Sequence, residues 1–523
     1  MTGKLLQLLM LLGVLVTTVA RADLSLVNAV RQGDADAARR LLSGGVPVNA
    51  QEGDGTSALH VAAYRDDAET VKLLLDAGAD AALATTFGVT PLALAAENRN
   101  AAVTRQLLDR GADANQQESG ETPLHVAART NAADVARVLL SRGANVDARN
   151  RWQAVTPLME AAGAGHAPMV QLLLDAGADV DAKAAVSSLF IGPGDESTTY
   201  AQIPRGGMTA LSFAARDGCA ACIGPLVAAG ADVNYADPAR VTPLNLAVYN
   251  GRFEAADALL DSGADPNDGS LYLAVDFRNL VADGVNADHH PVPRDFDSAA
   301  SIRTINKLLA AGARPDDELL KELQSRYLGF TRPRYLSGLT PLQRAAEQAD
   351  IEAMRVLLDG RANPSLANRM KFMSLGGGNA GGETPLIVAI KSVAGVQGSI
   401  IGNRPGKLAY RPRTPGDSLA AARLLVDRGA DIEGRDWNGN SPVHVAATFG
   451  AHEILQLLAE RGADLSAKND GGQTALDIVS RQAATKAALA GRSPPPLFPN
   501  PNSHPEETVA LLERLLGVAA ERE

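Results

Sequence analysis

Apolar positions along this chain come in short bursts separated by polar turns. Between residues 122 and 155 it reads TPLHVAARTNAADVARVLLSRGANVDARNRWQAV. Leu124, Ala127 and Ala128 recur at helical steps and predict a short helix with one small apolar face. Thr122 can cap that helix with its hydroxyl, and Pro123 suits the first helical position, where no N–H is needed. A turn at Asn131 leads into a second helix carrying Val135, Val138, Leu139 and Leu140. Gly143 ends it, because the residue just past a helix end often needs positive φ. The remainder is polar and extended, and it runs into the next Thr-Pro-Leu. Helices shorter than roughly 12–15 residues are marginal alone in water. The unit therefore has to stack on copies of itself.

Copies fill the chain. Anchors equivalent to Thr122 stand at Ser57, Thr90, Thr156, Thr209, Thr242, Gly269, Thr340, Thr384, Ser441 and Thr474. Half of the intervals lie within one residue of about 33. The longer ones mark insertions, and the short one marks a hairpin missing after Asp265-Pro266-Asn267. The joining of T-P-L-H-x-A-A to a later L-L-x-x-G-A-x-x-N/D resembles the ankyrin repeat. That resemblance implies an all-α repeat solenoid: stacked helix-turn-helix units with β-hairpin loops, capped at both ends. It also implies a partner protein held by hairpin tips and by the exposed residues of the first helices. His60, His125 and His444 occupy the fourth position of T-P-L-H, where the family uses the imidazole as a hydrogen bond between neighbouring hairpins. A metal role is not expected for histidines a repeat or more apart.

The expected organisation follows the anchors. Residues 1–22 form a signal peptide and 23–56 an amino-terminal capping helix pair, which keeps one face polar. Residues 57–268 hold the first block of repeats, with an insertion at 183–207. Residues 269–440 hold repeats with long insertions at 276–300, 315–337, 369–383 and 393–417, the second of these with an extra short helix. A regular repeat spans 441–473. A capping repeat with a Pro-rich loop at 493–505 fills 474–523.

Composition changes this picture in two respects. Apolar residues make up 46% but aromatics only 4%, as closely stacked Ala- and Leu-rich helices require. The formal net charge is −11, and loss of Lys4 and Arg21 with the leader makes it two units more negative. Such a surface repels phosphate backbones, so no nucleic-acid partner is expected. The leader itself is read from Lys4, the apolar run 5–19 and Ala20-Arg21-Ala22. The run is short for a span of about 20 residues. An exported protein is expected, periplasmic or secreted, without membrane insertion after cleavage and monomeric.

Candidate chemistry is sparse. No H-E-x-x-H, G-x-S-x-G or G-x-x-x-x-G-K-[ST] occurs, so no catalytic residue, cofactor or metal is expected. Gly376, Gly378 and Gly381 match G-x-G-x-x-G by count, but no βαβ unit accompanies them, and a loop is expected. His289-His290 reads as a polar loop. Cys219 and Cys222, in DGCAACIG, are the only cysteines. In an exported protein they are expected as a disulfide; a reduced pair, a redox motif at a helix start and metal binding remain the alternatives. A redox or metal-handling accessory is accordingly the rival to a protein-binding scaffold.

Two features rise above the repeat. Trp152 and Trp437 lie at hairpin tips, with Phe87 and Tyr235 in the same region of their own repeats. Trp and Tyr concentrate in interface hot spots, so these four are expected to bind protein. Tyr64, Arg129, Arg216, Tyr249 and Phe449 are their companions on the concave face by repeat alignment. The second feature is a basic island, Arg369, Lys371, Lys391, Arg404, Lys407, Arg411 and Arg413, against the single acid Glu383. Charge asymmetry of this kind can steer a partner of opposite sign, whether a protein or an acidic surface such as lipid headgroups.

Overall fold

The structure, a computed structural model, describes residues 24–117, 120–191, 201–279, 297–318, 338–368, 372–373, 379–392, 415–488 and 504–517. Those residues form twenty-four helices and two two-stranded sheets. The chain divides into two compact units. Unit 1 comprises residues 1–187 and 206–232, and unit 2 residues 188–205 and 233–523.

Regular repeats pair a first helix of seven residues with a second of nine, as in Pro123–Arg129 and Ala133–Ser141. The first helices start where the sequence reading puts them. Thr156 accepts from the Met159 N–H, with Pro157 at the first position, and Thr340 and Gln343 complete a reciprocal capping box. Asn131 turns the chain between the helices at φ 58°, a conformation Asn tolerates better than most side chains. Gly143 ends the second helix at φ 83°.

Stacking supplies the stability that the short helices lack. In unit 1, Leu59, Leu92, Leu124, Leu158 and Leu211 are sealed from solvent, and so are the alanine pairs such as Ala127–Ala128. Each leucine withdrawn from water contributes about 1.5–3 kcal/mol. The alanines let neighbouring first helices approach closely, a service a larger side chain would prevent. Unit 2 repeats the arrangement with Leu244, Leu342, Leu386 and Val443.

Two hydrogen-bond systems fix the register of each repeat on the next. The first passes through the position three residues after the helix cap. Nε2 of His60 bonds the Val89 carbonyl, and Nε2 of His125 the Val155 carbonyl, both at 2.9 Å. His444 reaches the Gln473 carbonyl at 3.0 Å. Where histidine is replaced, Gln343 donates to the Leu366 and Glu383 carbonyls. Asn245 donates to Ser270 Oγ at 2.9 Å where the hairpin is missing. The structural role expected for the three histidines is what the geometry shows.

The second system is a ladder at the base of the hairpins. In unit 1 the Asn49 side chain accepts the Asp80 N–H, Asn115 that of Asn145, and Asp147 that of Asp179, at 2.7–2.8 Å. In unit 2 the same link joins Asn234 to Asp265, Asn267 to Arg314, Asp316 to Asn363, Ser365 to Asp431 and Glu433 to Asp464. Partners are 30–32 residues apart in regular repeats. They are 47, 47 and 66 apart where insertions intervene. The inserted chain leaves the rung intact.

Several boundaries differ from the sequence reading. The insertion expected at 276–300 is narrower, because the helix Ser270–Asn279 runs into it and Ser298–Ala310 begins before its end. Apolar Phe277 extends the first of these by packing edge-on against Phe253, ring centroids 5.8 Å apart. Likewise Pro415–Asp427 starts inside the 393–417 insertion, and Pro505–Leu515 takes Pro505 from the Pro-rich loop as its first residue. The 183–207 insertion contains the strands Val186–Ile191 and Ala201–Gly206. The 369–383 insertion contains Phe372–Met373 paired with Asn379–Ala380, so Gly381 follows a hairpin rather than a βαβ strand. The leader, His289-His290, the extra helix beyond residue 318, Gly376 and Gly378 lie outside the described residues.

The seventh repeat, which lacks Thr-Pro, is held by charge. Arg278 is nearly sealed and bridges Asp350 and Glu352 while donating to the Ser298 carbonyl at 2.8 Å. Arg344, equally buried, bonds Asp276 at 2.5 Å. Buried pairs of this sort add little net stability but penalise any other register, because breaking one strands a buried charge.

Candidate protein-interaction face

The nine residues expected to bind protein divide between the units: Tyr64, Phe87, Arg129, Trp152 and Arg216 in unit 1, and Tyr235, Tyr249, Trp437 and Phe449 in unit 2. Their exposure separates them. Among the described residues the large apolar side chains open to solvent are Tyr64 (70%), Phe87 (77%), Trp152 (63%) and Val186 (56%). All four belong to unit 1. Tyr235, Tyr249, Trp437 and Phe449 are half-buried.

Local structure explains why unit 1 shows these rings. Tyr64 is the last residue of Ala58–Tyr64, beyond the apolar face of its helix. Phe87 lies in a tip whose Thr86 N–H donates to the Asp54 carbonyl at 2.8 Å. The Trp152 tip is tied the same way, Arg151 N–H to the Gly120 carbonyl at 2.8 Å. A Cβ on Gly120 would stand 3.1 Å from the indole. Part of that ring therefore abuts the preceding tip while most of it remains open. Trp437 rests against Gly382 in a similar way but is covered further.

Beneath the tips, the position four residues after each cap forms a row: Val61, Leu94, Val126, Glu160 and Phe213 in unit 1. Glu160 breaks an otherwise apolar series and was missed by the sequence reading, although aligning the repeats on their caps would have exposed it. Burial holds its carboxyl above the usual carboxylate range, and the charge of Glu121 adds to the effect; Arg129 and Arg216 oppose it. Arg129, at the end of its helix, stands 3.5 Å from Glu97 and 3.8 Å from Glu121. Arg216 lies over the Phe213 ring at 4.6 Å and pairs with Asp217. Phe213 leans across Gly163, where a Cβ would meet it at 3.3 Å.

Cys219 and Cys222 are joined in a disulfide, Cα–Cα 5.3 Å. Cys219 caps the helix Ala220–Ala228, and the Cys222 N–H donates to its carbonyl at 3.0 Å. Both are buried. Thiol exchange needs an accessible sulfur, so this position favours a staple over a redox centre. Of the basic island, Arg369, Lys371, Arg404, Lys407, Arg411 and Arg413 lie outside the described residues. Lys391 is neutralised by Glu383. Among the described residues no group of His, Cys, Asp and Glu is arranged to hold a metal, and no helix is long and apolar enough to cross a membrane.

Comparison with known proteins gives the same fold. Sequence models of ankyrin repeats match residues 26–118, 104–184 and 185–270 (three copies), 425–479 (many copies) and 337–369 (single repeat). Protein fem-1 homolog A of Danio rerio is 33% identical over 110 residues, 21% of this chain and 16% of that protein. Protein phosphatase 1 regulatory subunit 27 of Mus musculus is 36% identical over 62 residues, 12% of this chain and 40% of that one. The chain thus matches less than half the length of either relative. Among solved structures, the ankyrin repeat domain of Bcl-3 is 31% identical, covering 43% of this chain and 93% of that one, with TM-score 0.36. The human ASB11 ankyrin repeat domain is 27% identical, covering 45% and 96%, with TM-score 0.38.

Proposed function

Since this chain belongs to the ankyrin-repeat family, whose members generally act as protein-binding scaffolds, we propose that it is a non-catalytic scaffold that binds a partner protein through the tips and first helices of unit 1. One observation carries this reading: the exposed large apolar side chains among the described residues all lie on that unit. Water-facing rings of this size are costly to leave open and are enriched at interface centres. Trp152 is the anchor in this proposal, because its indole is large, open to solvent and braced against Gly120, so less side-chain freedom is lost on binding. The chain acts after export and as a monomer in this proposal; the leader pattern of residues 1–22 and the Cys219–Cys222 disulfide support the oxidising compartment. The redox alternative loses support from the burial of both sulfurs.

Capture of partner from extracts of native cells by the intact protein provides the test. The double variant Phe87→Ala, Trp152→Ala is expected to weaken capture at least about tenfold, equivalent to roughly 1.4 kcal/mol. Trp437→Ala should leave it near wild type. Unchanged capture by the double variant, with its melting temperature preserved, would remove unit 1 as the binding face.

A further inference from the structure

Among the described helices, Ala220–Ala228 alone carries a proline past its first turn. Pro225 has no N–H to give the Ala221 carbonyl, and Gly224 before it is the other residue that helices tolerate least. A residue that precedes proline is also pushed away from helical geometry. The helix must nevertheless form, because Cys222, Ile223 and Leu226 are sealed from solvent on its inner face. It is the last helix of unit 1, so within that unit no later repeat helps to hold it.

Other second helices are fastened by a capping side chain that reaches forward three residues. Asp34 accepts the Ala37 N–H, Asp67 that of Thr70 and Asp350 that of Ala353. Cys219 stands at the same position and makes no such bond. Ala132, His166, Arg252 and Ala451 also lack one, but their helices contain no glycine and no proline beyond the first turn. At Cys219 the same interval, from cap to third helical residue, is closed by the disulfide to Cys222. The Cys219 N–H donates to the Ala214 carbonyl at 2.8 Å, so the bridge ties the first turn to a point already fixed on the preceding helix.

We propose that this disulfide is a covalent cap that compensates for Gly224 and Pro225, making the folding of the last repeat of unit 1 conditional on oxidation. During folding, one cysteine thiolate attacks a disulfide oxidant and releases its first thiol. The second cysteine displaces the other, so the S–S bond forms and the oxidant leaves as two thiols carrying the two cysteine protons. A dithiol reverses the exchange, closing its own S–S bond as both cysteines regain their protons. Because the sulfurs are buried, reduction waits for the helix to open. The bridge is then a check on the compartment in which the chain folds.

Hydrogen–deuterium exchange of the full chain, read on peptides covering 220–228 with and without dithiothreitol, tests this. Reduction of the wild type, confirmed by thiol titration, is expected to speed exchange there at least about tenfold while leaving Ala133–Ser141 unaltered. In the variant Gly224→Ala, Pro225→Ala, which keeps both cysteines, reduction should change exchange by no more than about twofold. Cys219→Asp with Cys222→Ala supplies a cap of the Asp67 kind and should stay within about threefold of the oxidised wild type, with or without reductant. Wild-type exchange unmoved by complete reduction overturns the proposal. So does an equal loss of protection in Gly224→Ala, Pro225→Ala, since the bridge would then not be compensating for those residues. Loss of protection in Cys219→Asp, Cys222→Ala would show that the bridge does not act as a cap.

Discussion

One position, three residues after the helix cap, is filled by histidine at 60 and 125, asparagine at 245 and glutamine at 343. All four donate across to the next repeat. To donate there and also accept the cap N–H at Nδ1, as His125 does from Thr122, the ring must be neutral with its proton on Nε2. Burial pulls the pKa of His60 and of His125 below the ordinary value, against the opposing pull of the Val89 and Val155 carbonyls. A depressed folded pKa means that the unfolded chain binds the proton first. The stability these rings contribute is complete above about 6.5 and declines as pH falls through their folded values. The double variant His60→Gln, His125→Gln should therefore show a smaller fall in melting temperature between pH 7.5 and 5 than the wild type. An identical fall would show that other groups govern the acid limb. The bridging role of these histidines is legible in T-P-L-H because the repeat states it several times. Glu160 was less legible, since it shows itself only when the repeats are aligned on their caps, and the charges acting on it come from Glu121, Arg129 and Arg216 of neighbouring repeats.

At the scale of elements, the insertions are additions to a stack that closes without them. The ends of the seventh-repeat insertion are fixed by described residues: Arg278 reaches the Ser298 carbonyl, and Phe277 packs with Phe253 and Ala300. Replacing residues 281–295 by a four-residue Gly-Asn-Gly-Ser link is expected to change the unfolding free energy by no more than about 1 kcal/mol, because closure entropy varies slowly with loop length. A loss of several kcal/mol in denaturant titration would make the segment part of the core. Helix positions were readable from cap, proline and glycine, which act locally. Their ends inside insertions were not, because Phe277 extends its helix through a ring from another repeat and Arg278 through acids more than 70 residues away.

Over the whole molecule, stability in a repeat array is a sum of repeat and neighbour terms rather than one all-or-none quantity. The two units each contain one of the chain's two tryptophans, Trp152 and Trp437. Trp437→Phe leaves a reporter in unit 1, and Trp152→Phe leaves one in unit 2. Urea unfolding followed by fluorescence is expected to give midpoints differing by about 0.5 M or more, with each slope below that of a single 523-residue transition. Coincident curves would establish one cooperative block. The side-chain ladder at the hairpin bases has a further consequence for how such a chain can change over evolutionary time. Its rungs join at constant distance whether 30 residues or 66 lie between them. Spatial pitch is thereby uncoupled from sequence length. New segments can be acquired, lengthened or exchanged between rungs while the frame keeps its spacing, so the loops are free to diversify without renegotiating the fold.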